Sequence, residues 1–530
     1  MTARDDAEQE LKLRLPPSAI AAVLRHPAVL AAKRGRMRTA AMHATYYDTA
    51  DLRLARARIG LRVRREGRRW RQTIKGAPDA RSGGGLAARP EYEWPLANGA
   101  TRVSPPPIDR DRFADTPWRR KLDKAAREGL APVFATVFER RSVSLVFADG
   151  TMATLAVDAG EIRSAGPRRR REALCEIEIE LESGRAHHLF DLAHALAADL
   201  PLAIETRSKA ARGYALVAPI APAPVPARAV DTPLHRDDAA GDALAAILRS
   251  CARQIEANAD GLLADDDPEW IHQMRIGTRR LRACLSLLRD LAPAAALDSV
   301  ADEARWLARA LATARDLDVM ADATLSAILR AVGPAATEAG ALVALRRRVA
   351  RQRRRARDAA REAVASARFT RLLLATGALA ARARFGVDAT APAAAILASP
   401  ARAFAAPVLS HRQRKLMQRG AILASADAAA RHAARLAAKR LRYAAEFFAP
   451  LFPQRKARRY VGALEALQDV LGELNDASVA ATLAADHAGP DATATATLRG
   501  WSAAQAALRA GALDEAWHHF AHARPFWAGD

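Results

Sequence analysis

Cysteine, aromatic side chains and long apolar runs are all scarce in this 530-residue chain. Its three cysteines, Cys175, Cys251 and Cys284, lie far apart and without metal-ligand spacing, which excludes a disulfide framework and a zinc finger. Aromatics make up 5% and few accompany the basic stretches. With no helix-turn-helix or RNP-type motif either, no sequence-specific nucleic-acid partner is expected. No run of about 18 uncharged apolar residues occurs, so no spanning helix and no membrane partner are expected. The chain opens Thr2-Ala3-Arg4-Asp5-Asp6 with no apolar stretch to follow, so no secretory leader is expected and a reducing cytoplasm is the expected setting.

What the chain has in excess is positive charge. Lys and Arg number 82 against 59 Asp and Glu, a formal +23, which implies a polyanionic partner. Half the residues are apolar, enough to bury a core in each of about two to four domains. Prolines 219, 222, 224 and 226 favour an extended spacer and mark a boundary. The expected domains are 1–215, a proline-rich linker 216–231, and 232–530. Both sides of the linker are basic, but their hydrophobic periods differ. Before it, short period-two segments recur, such as Glu8–Arg14, Gly60–Arg64, Trp70–Lys75, Ser142–Phe147 and Cys175–Leu181, the mark of antiparallel strands. After it, an alanine-rich 3.6-residue period predicts helices.

The helical half contains a duplication at an offset of 160. His272-Gln-Met-Arg275-Ile-Gly-Thr-Arg279-Arg280-Leu-Arg282 aligns with His432-Ala-Ala-Arg435-Leu-Ala-Ala-Lys439-Arg440-Leu-Arg442. Leu311 to Val319 aligns with Leu471 to Val479 at the same offset, which implies two similar helical bundles. Positions 0, +3, +7 and +10 fall within roughly 80° of one helix face. His272, Arg275, Arg279 and Arg282 therefore form one basic stripe, and His432, Arg435, Lys439 and Arg442 its twin. A solvated charged face is the plain alternative. However, a one-sign stripe lacks the pairing that stabilises exposed helices, and its repetition favours a bound polyanion. Arg346 to Arg357 adds eight arginines in twelve residues. Asp316 and Asp476 are expected to brace the stripes or cap a helix.

In the strand half, acids and bases share faces. Glu8, Glu10 and Lys12 fall on one side, as do Arg62 with Arg64, Glu91 with Glu93, and Glu176, Glu178 and Glu180, because residues i and i+2 point the same way. Ile177, Ile179 and Leu181 point the other way. Glutamates at i, i+2 repel unless cations sit among them. Their recurrence implies a closed barrel with a charged lumen. Carboxylates suit Mg²⁺ or Mn²⁺, and Arg and Lys suit phosphate oxygens.

These motifs carry two resemblances. Residues 6–215 resemble the CYTH domain of the triphosphate tunnel metalloenzymes. The likeness runs through Glu8-x-Glu10-x-Lys12, Tyr46-Tyr-Asp48-Thr49, Leu61–Arg64, Gln72–Lys75, Arg89–Glu93, Phe138–Arg140, Val157–Gly160, Glu176-x-Glu178-x-Glu180 and Ser208-Lys209-x-x-x-Gly213-Tyr214. The resemblance implies an eight-stranded antiparallel barrel acting on triphosphates, with Glu8, Glu10, Glu91, Asp158, Glu176 and Glu178 as metal ligands. It also implies that Arg62, Arg64, Lys75, Arg140 and Lys209 hold substrate and that Glu8, Glu10, Lys12 and Glu93 serve catalysis. Alternation admits only one of Arg140 and Arg141 to the lumen. Tyr46 and Asp48 are expected to shape a turn and are left out of the site. Residues 232–525 resemble the CHAD domain, a duplicated helical module associated with polyphosphate. The second copy departs from the first at Asn475 and Ser478.

The expected protein is thus a two-domain α+β chain hydrolysing inorganic tripolyphosphate with Mg²⁺ or Mn²⁺, its helical domain binding long-chain polyphosphate in the cytoplasm. An enzyme of an organic triphosphate (thiamine triphosphate, or ATP by hydrolysis or cyclisation) and a non-catalytic polyphosphate binder are the alternatives.

Overall fold

The structure is a computed structural model that describes residues 8–528, except 68, 78–85, 97–104, 167–168, 219–224, 422, 424–427 and 488–491. Two compact units emerge: Met1–Val225 with Ser366–Ala381, and Pro226–Ala365 with Arg382–Asp530. The prolines at 219, 222 and 224 lie outside the described residues.

The first unit carries strands β1 (Glu8–Arg14), β2 (Lys33–Asp48), β3 (Gly60–Glu66), β4 (Arg69–Lys75), β5 (Leu86–Arg89), β6 (Glu91–Leu96), β7 (Ala131–Val146), β8 (Met152–Ser164), β9 (Arg171–Ser183) and β10 (Ala203–Ile204), and the period-two segments read from the sequence fall in β1, β3, β4, β7 and β9. They form one ten-stranded antiparallel sheet in the order β10-β1-β9-β8-β7-β2-β3-β4-β6, with β5 also paired to β1. The eight-stranded closed barrel expected from the sequence is corrected to this sheet. Two features account for the difference. Pro90 has no N–H to donate to a ladder, so the chain around it divides into β5 and β6. The two-residue β10 adds to the edge of β1.

Which face of the sheet is apolar follows from alternation. Leu11, Leu13, Leu155, Val157, Ile177 and Ile179 pack beneath Leu189, Phe190, Leu192, Ala193 and Leu196 of helix His187–Asp199. Leu61, Val63, Trp70 and Ile74 pack with Phe113, Leu122 and Ala125. Helices therefore cover the apolar side, and the charged residues between these positions are left to the opposite face. Leu374, Ala378 and Ala381 complete the first of these cores. This stretch is helical like its neighbours, so composition alone gives no sign that it belongs with the sheet.

The second unit is helical, as expected. Its first basic stripe rides on helix Pro268–Leu285, which begins with proline in its first turn and with Asp267 accepting the Glu269 N–H at 2.8 Å. The second rides on Ala428–Phe448.

Helix Lys209–Val217 lies close against β7 at Gly213. A Cβ there would stand 2.1 Å from the Phe134 ring, and the ring is fully buried. Gly213→Ala should therefore destabilise the sheet unit by about 1–3 kcal/mol through overpacking, read as a lowered midpoint in thermal unfolding. An unchanged midpoint would mean that the helix can move away at no cost.

Candidate active site

The charged face of β1, β8 and β9 brings acids together by register. Arg140 stands opposite Asp158, Asp158 opposite Glu176, and Lys12 opposite Glu178. Asp158 and Glu176 are fully buried and Glu178 nearly so, and one carboxylate oxygen from each lies within 4.8 Å of the others. Carboxylates this deep need counter-charges, since unpaired buried ions are very costly. Lys209, at the start of its helix behind the Ser208 cap, places Nζ 2.7 Å from Asp158, 2.6 Å from Glu176 and 2.8 Å from Glu178. Arg140 donates twice to Asp158, at 2.7 Å each, and also contacts Glu178. Lys12 reaches Glu178 at 2.9 Å and Glu10 at 3.1 Å. Burial alone would raise the Glu178 carboxyl, but Lys12, Lys209 and Arg140 hold it well below the usual carboxylate range. Burial would lower the Lys209 ammonium, yet Asp158, Glu176 and Glu178 raise it well above its ordinary value.

The opposite wall, from β3, β4 and β6, is dominated by bases. Arg64 and Arg71 hold Glu93 at 2.9 and 2.8 Å, and Thr73 donates to it at 3.2 Å. Against the effect of burial, Arg64, Arg62 and Arg71 keep that carboxyl low. Lys75 and Arg62 lie 2.8 and 3.5 Å from Glu91. Between the walls is a cavity of about 810 Å³ lined by residues of both, including Glu10, Lys12, Arg62, Arg64, Lys75, Glu91, Glu93, Arg140, Glu178 and Lys209.

The sequence-derived site is thus largely gathered at one cavity. Of the six expected metal ligands, Asp158, Glu176 and Glu178 form the close group. Glu10 stands beside it with Lys12, while Glu91 is engaged on the basic wall. Glu8 pairs with Arg89 in the β1–β5 ladder, and its side chain lies outside the described residues. Arg140 rather than Arg141 faces the acids; Arg141 pairs with Glu139 at 2.8 Å. Asp48 does shape a turn, accepting from Thr49, Leu54 and Ala55 N–H groups. Tyr46, by contrast, lines the cavity with its hydroxyl 3.4 Å from Arg62, and the Arg62 charge lowers its phenol despite burial. Some bases were missed, Arg71 on Glu93 among them. Arg212 meets Glu176 at 3.1 Å and Glu172 at 2.7 Å, and Arg89 lines the cavity 3.8 Å from Glu10. The i, i+3 spacing of Lys209 and Arg212 on one helix was the available signal for the former.

In the helical unit His272, Arg275 and Arg279 are half-buried and Arg282 is exposed. Burial together with the Arg315, Arg279 and Arg275 charges lowers the His272 imidazole, and Asp316 lies 3.9 Å from Arg275. In the second copy His432 is exposed, 3.4 Å from Asn475, and Arg442 pairs with Glu446 at 2.9 Å. Arg435 and Lys439 are half-buried on the same helix. The side chains of Asp476 and Ser478 lie outside the described residues. Part of the arginine run is structural: Arg353 and Arg357 close on buried Asp318 at 2.5 and 2.9 Å.

Residues 6–214 match the CYTH domain family and residues 246–485 the CHAD domain family, so the chain belongs to both, one domain after the other. Over 172 residues it is 32% identical to an inorganic triphosphatase of Haemophilus influenzae, covering 32% of this chain and 45% of that one. The chain thus spans under half the length of that curated relative. The crystal structure of the CHAD domain from the plant Ricinus communis is 34% identical, covering 56% of this chain and 96% of that one, with a TM-score of 0.48. PptA from Streptomyces chartreusis is 23% identical, covering 53% and 100%, with a TM-score of 0.39.

The ion cluster should shape stability against pH. Glu178's depressed value adds stability that is present above its unfolded value of 4.5 and is lost as pH falls through the folded value. Lys209's raised value adds stability that is present below 10.5 and is lost as pH rises beyond it. The cluster's contribution is therefore level from about pH 5 to 10. Glu178→Gln should destabilise the protein by about 3–5 kcal/mol at neutral pH by stranding buried cations. In denaturant titrations that penalty should shrink toward pH 2; a penalty independent of pH would contradict the pairing.

Proposed function

We propose that the sheet unit hydrolyses inorganic triphosphate to pyrophosphate and phosphate, and that the helical unit holds longer polyphosphate. The supporting observation is the division of charge across one cavity, with oxygen donors on one wall and Arg62, Arg64 and Lys75 on the other. An oxygen-only donor set fits a hard divalent cation, Mg²⁺ or Mn²⁺, at Asp158, Glu176 and Glu178. When bound, that ion supplies charge neutralisation at the phosphate oxygens.

Phosphoryl transfer asks little covalent chemistry of a protein; positioning and charge carry it. Arg62, Arg64 and Lys75 orient the triphosphate chain. Lys12, Arg140 and Lys209 neutralise oxygens nearer the acids. Water attacks the terminal phosphorus, the P–O bond to the leaving pyrophosphate breaks, and the water proton passes to a carboxylate. Glu93 is held by two arginines and a hydroxyl, whereas Glu10 meets Lys12 at 3.1 Å and Arg89 only at 3.8 Å, so Glu10, the less tightly held, is assigned this role.

Met42, Tyr46, Ile59 and Phe138 also line the cavity, which favours a second reading in which an organic triphosphate places its apolar part there. Phosphate release from tripolyphosphate, thiamine triphosphate and ATP, with Mg²⁺ or Mn²⁺ and an EDTA control, separates the two. Metal-dependent release from tripolyphosphate alone is expected; release only from an organic triphosphate would replace the first reading with the second. Glu10→Ala should abolish turnover with the circular dichroism unchanged, and retained turnover would remove Glu10 from the mechanism. Arg275→Gln with Arg279→Gln should weaken long-chain polyphosphate binding and flatten its salt dependence, since each phosphate contact releases counterions. Unchanged binding would place polyphosphate elsewhere.

A further inference from the structure

On the other side of the sheet from the cavity, a second group of metal-ligating side chains comes together. His187, His188 and Asp191 stand in the first turns of helix His187–Asp199, and one ligand atom from each lies within 4.8 Å of the others. The spacing accounts for this: His187 and Asp191 are i, i+4, and His188 and Asp191 are i, i+3, so all three share one face. His187 is buried, and His188 and Asp191 are half-buried. We propose that these residues form a binding site for Zn²⁺ or a similar borderline divalent transition ion.

Three further observations support the assignment. First, His188 is held in place before any ion arrives. Its ring stacks on Phe147 at 4.5 Å and 14°, and its Nε2 lies 3.0 Å from Asp149 Oδ2. A histidine whose second nitrogen meets a carboxylate is the recurring support of metal-bound imidazoles. Second, Asp149 is itself fixed, its Oδ1 accepting the Thr151 N–H at 3.0 Å. That bond and the contact with His188 hold its carboxyl well below the usual range. Third, two imidazoles with a carboxylate form a donor set that prefers Zn²⁺ to Mg²⁺, the reverse of the oxygen-only set in the cavity. The positive end of a helix opposes a nearby cation by about 0.3–1 kcal/mol, and the Asp149 and Asp191 carboxylates offset it. All three ligands lie on the helix covering the apolar face of β1, β8 and β9, so the ion would fix the first turns of that helix, outside the reaction site, and steady the His188 contact with Asp149 of the β7–β8 turn. The site stands apart from the triphosphatase reading.

Zinc retention tests the assignment. Full-length protein stripped with EDTA is dialysed against Zn²⁺ in excess Mg²⁺, which occupies oxygen-only sites, and bound zinc is measured by atomic emission. One zinc per chain is expected. It should be lost in His188→Ala and in the nearly isosteric Asp191→Asn, and kept in the variant carrying His518→Ala and His522→Ala, which removes the other close histidine pair. Co²⁺ in place of zinc should give visible ligand-field absorption that Asp191→Asn abolishes. Zinc should also raise the thermal midpoint of the wild type but not of Asp191→Asn. Zinc retained in folded Asp191→Asn, or none retained by the wild type, would overturn the proposal.

Discussion

Three carboxylates without solvent, Asp158, Glu176 and Glu178, set the terms for everything around them. Left alone they would repel one another and carry desolvation costs that no domain of this size could absorb. Lys12, Arg140, Lys209 and Arg212 answer them from one strand on each side and from a helix laid over β7 and β8. The sheet is consequently built the unusual way round, with its charged residues inward and its leucines and isoleucines outward. That inversion in turn requires helices on the outside, because an apolar sheet face left in water would be an aggregation hazard. A layer of helices around a polar interior follows from three acids.

This pairing also bears on how a cation and a phosphate chain could share the cavity. Lys209 Nζ contacts an oxygen of each of the three acids that would hold a hard divalent ion. An ion bound among them would take the place of that ammonium, leaving Lys209 to meet phosphate oxygens. The other wall sets Arg62, Arg64, Arg71 and Lys75 against Glu91 and Glu93, so cations outnumber anions on that side.

Much of this was legible in the chain. Period two exposed β1, β3, β4, β9 and part of β7, and the i, i+2 ladder Glu176-Glu178, with Glu10 of the first ladder, singled out residues at or beside the acid group. The charged face could be told from the apolar one by alternation alone. What stayed hidden depends on partners distant in sequence. Nothing local shows that Arg353 and Arg357 turn inward to Asp318, so the arginine run reads as uniform surface. Strand β2 is long and mixed in burial, without the clean alternation that marks its neighbours. Tyr46 sits near the end of β2 beside a real turn at Asp48, and only the cross-strand register with Arg62 brings it to the cavity wall. Strand count likewise depended on Pro90 and on the two-residue β10, neither of which carries a period.

The core beneath helix His187–Asp199 is completed by Leu374, Ala378 and Ala381, more than a hundred residues after the last strand. During synthesis the strands leave the ribosome long before this stretch does, so the outer face around Phe190 waits with a side uncovered. Such late closure makes the sheet unit a folding problem of high contact order, and its vulnerable interval lasts until residue 381 of the 530 has been made. A fragment ending at the proline-rich linker would remain in that interval permanently, carrying every cavity residue and yet lacking part of its own core.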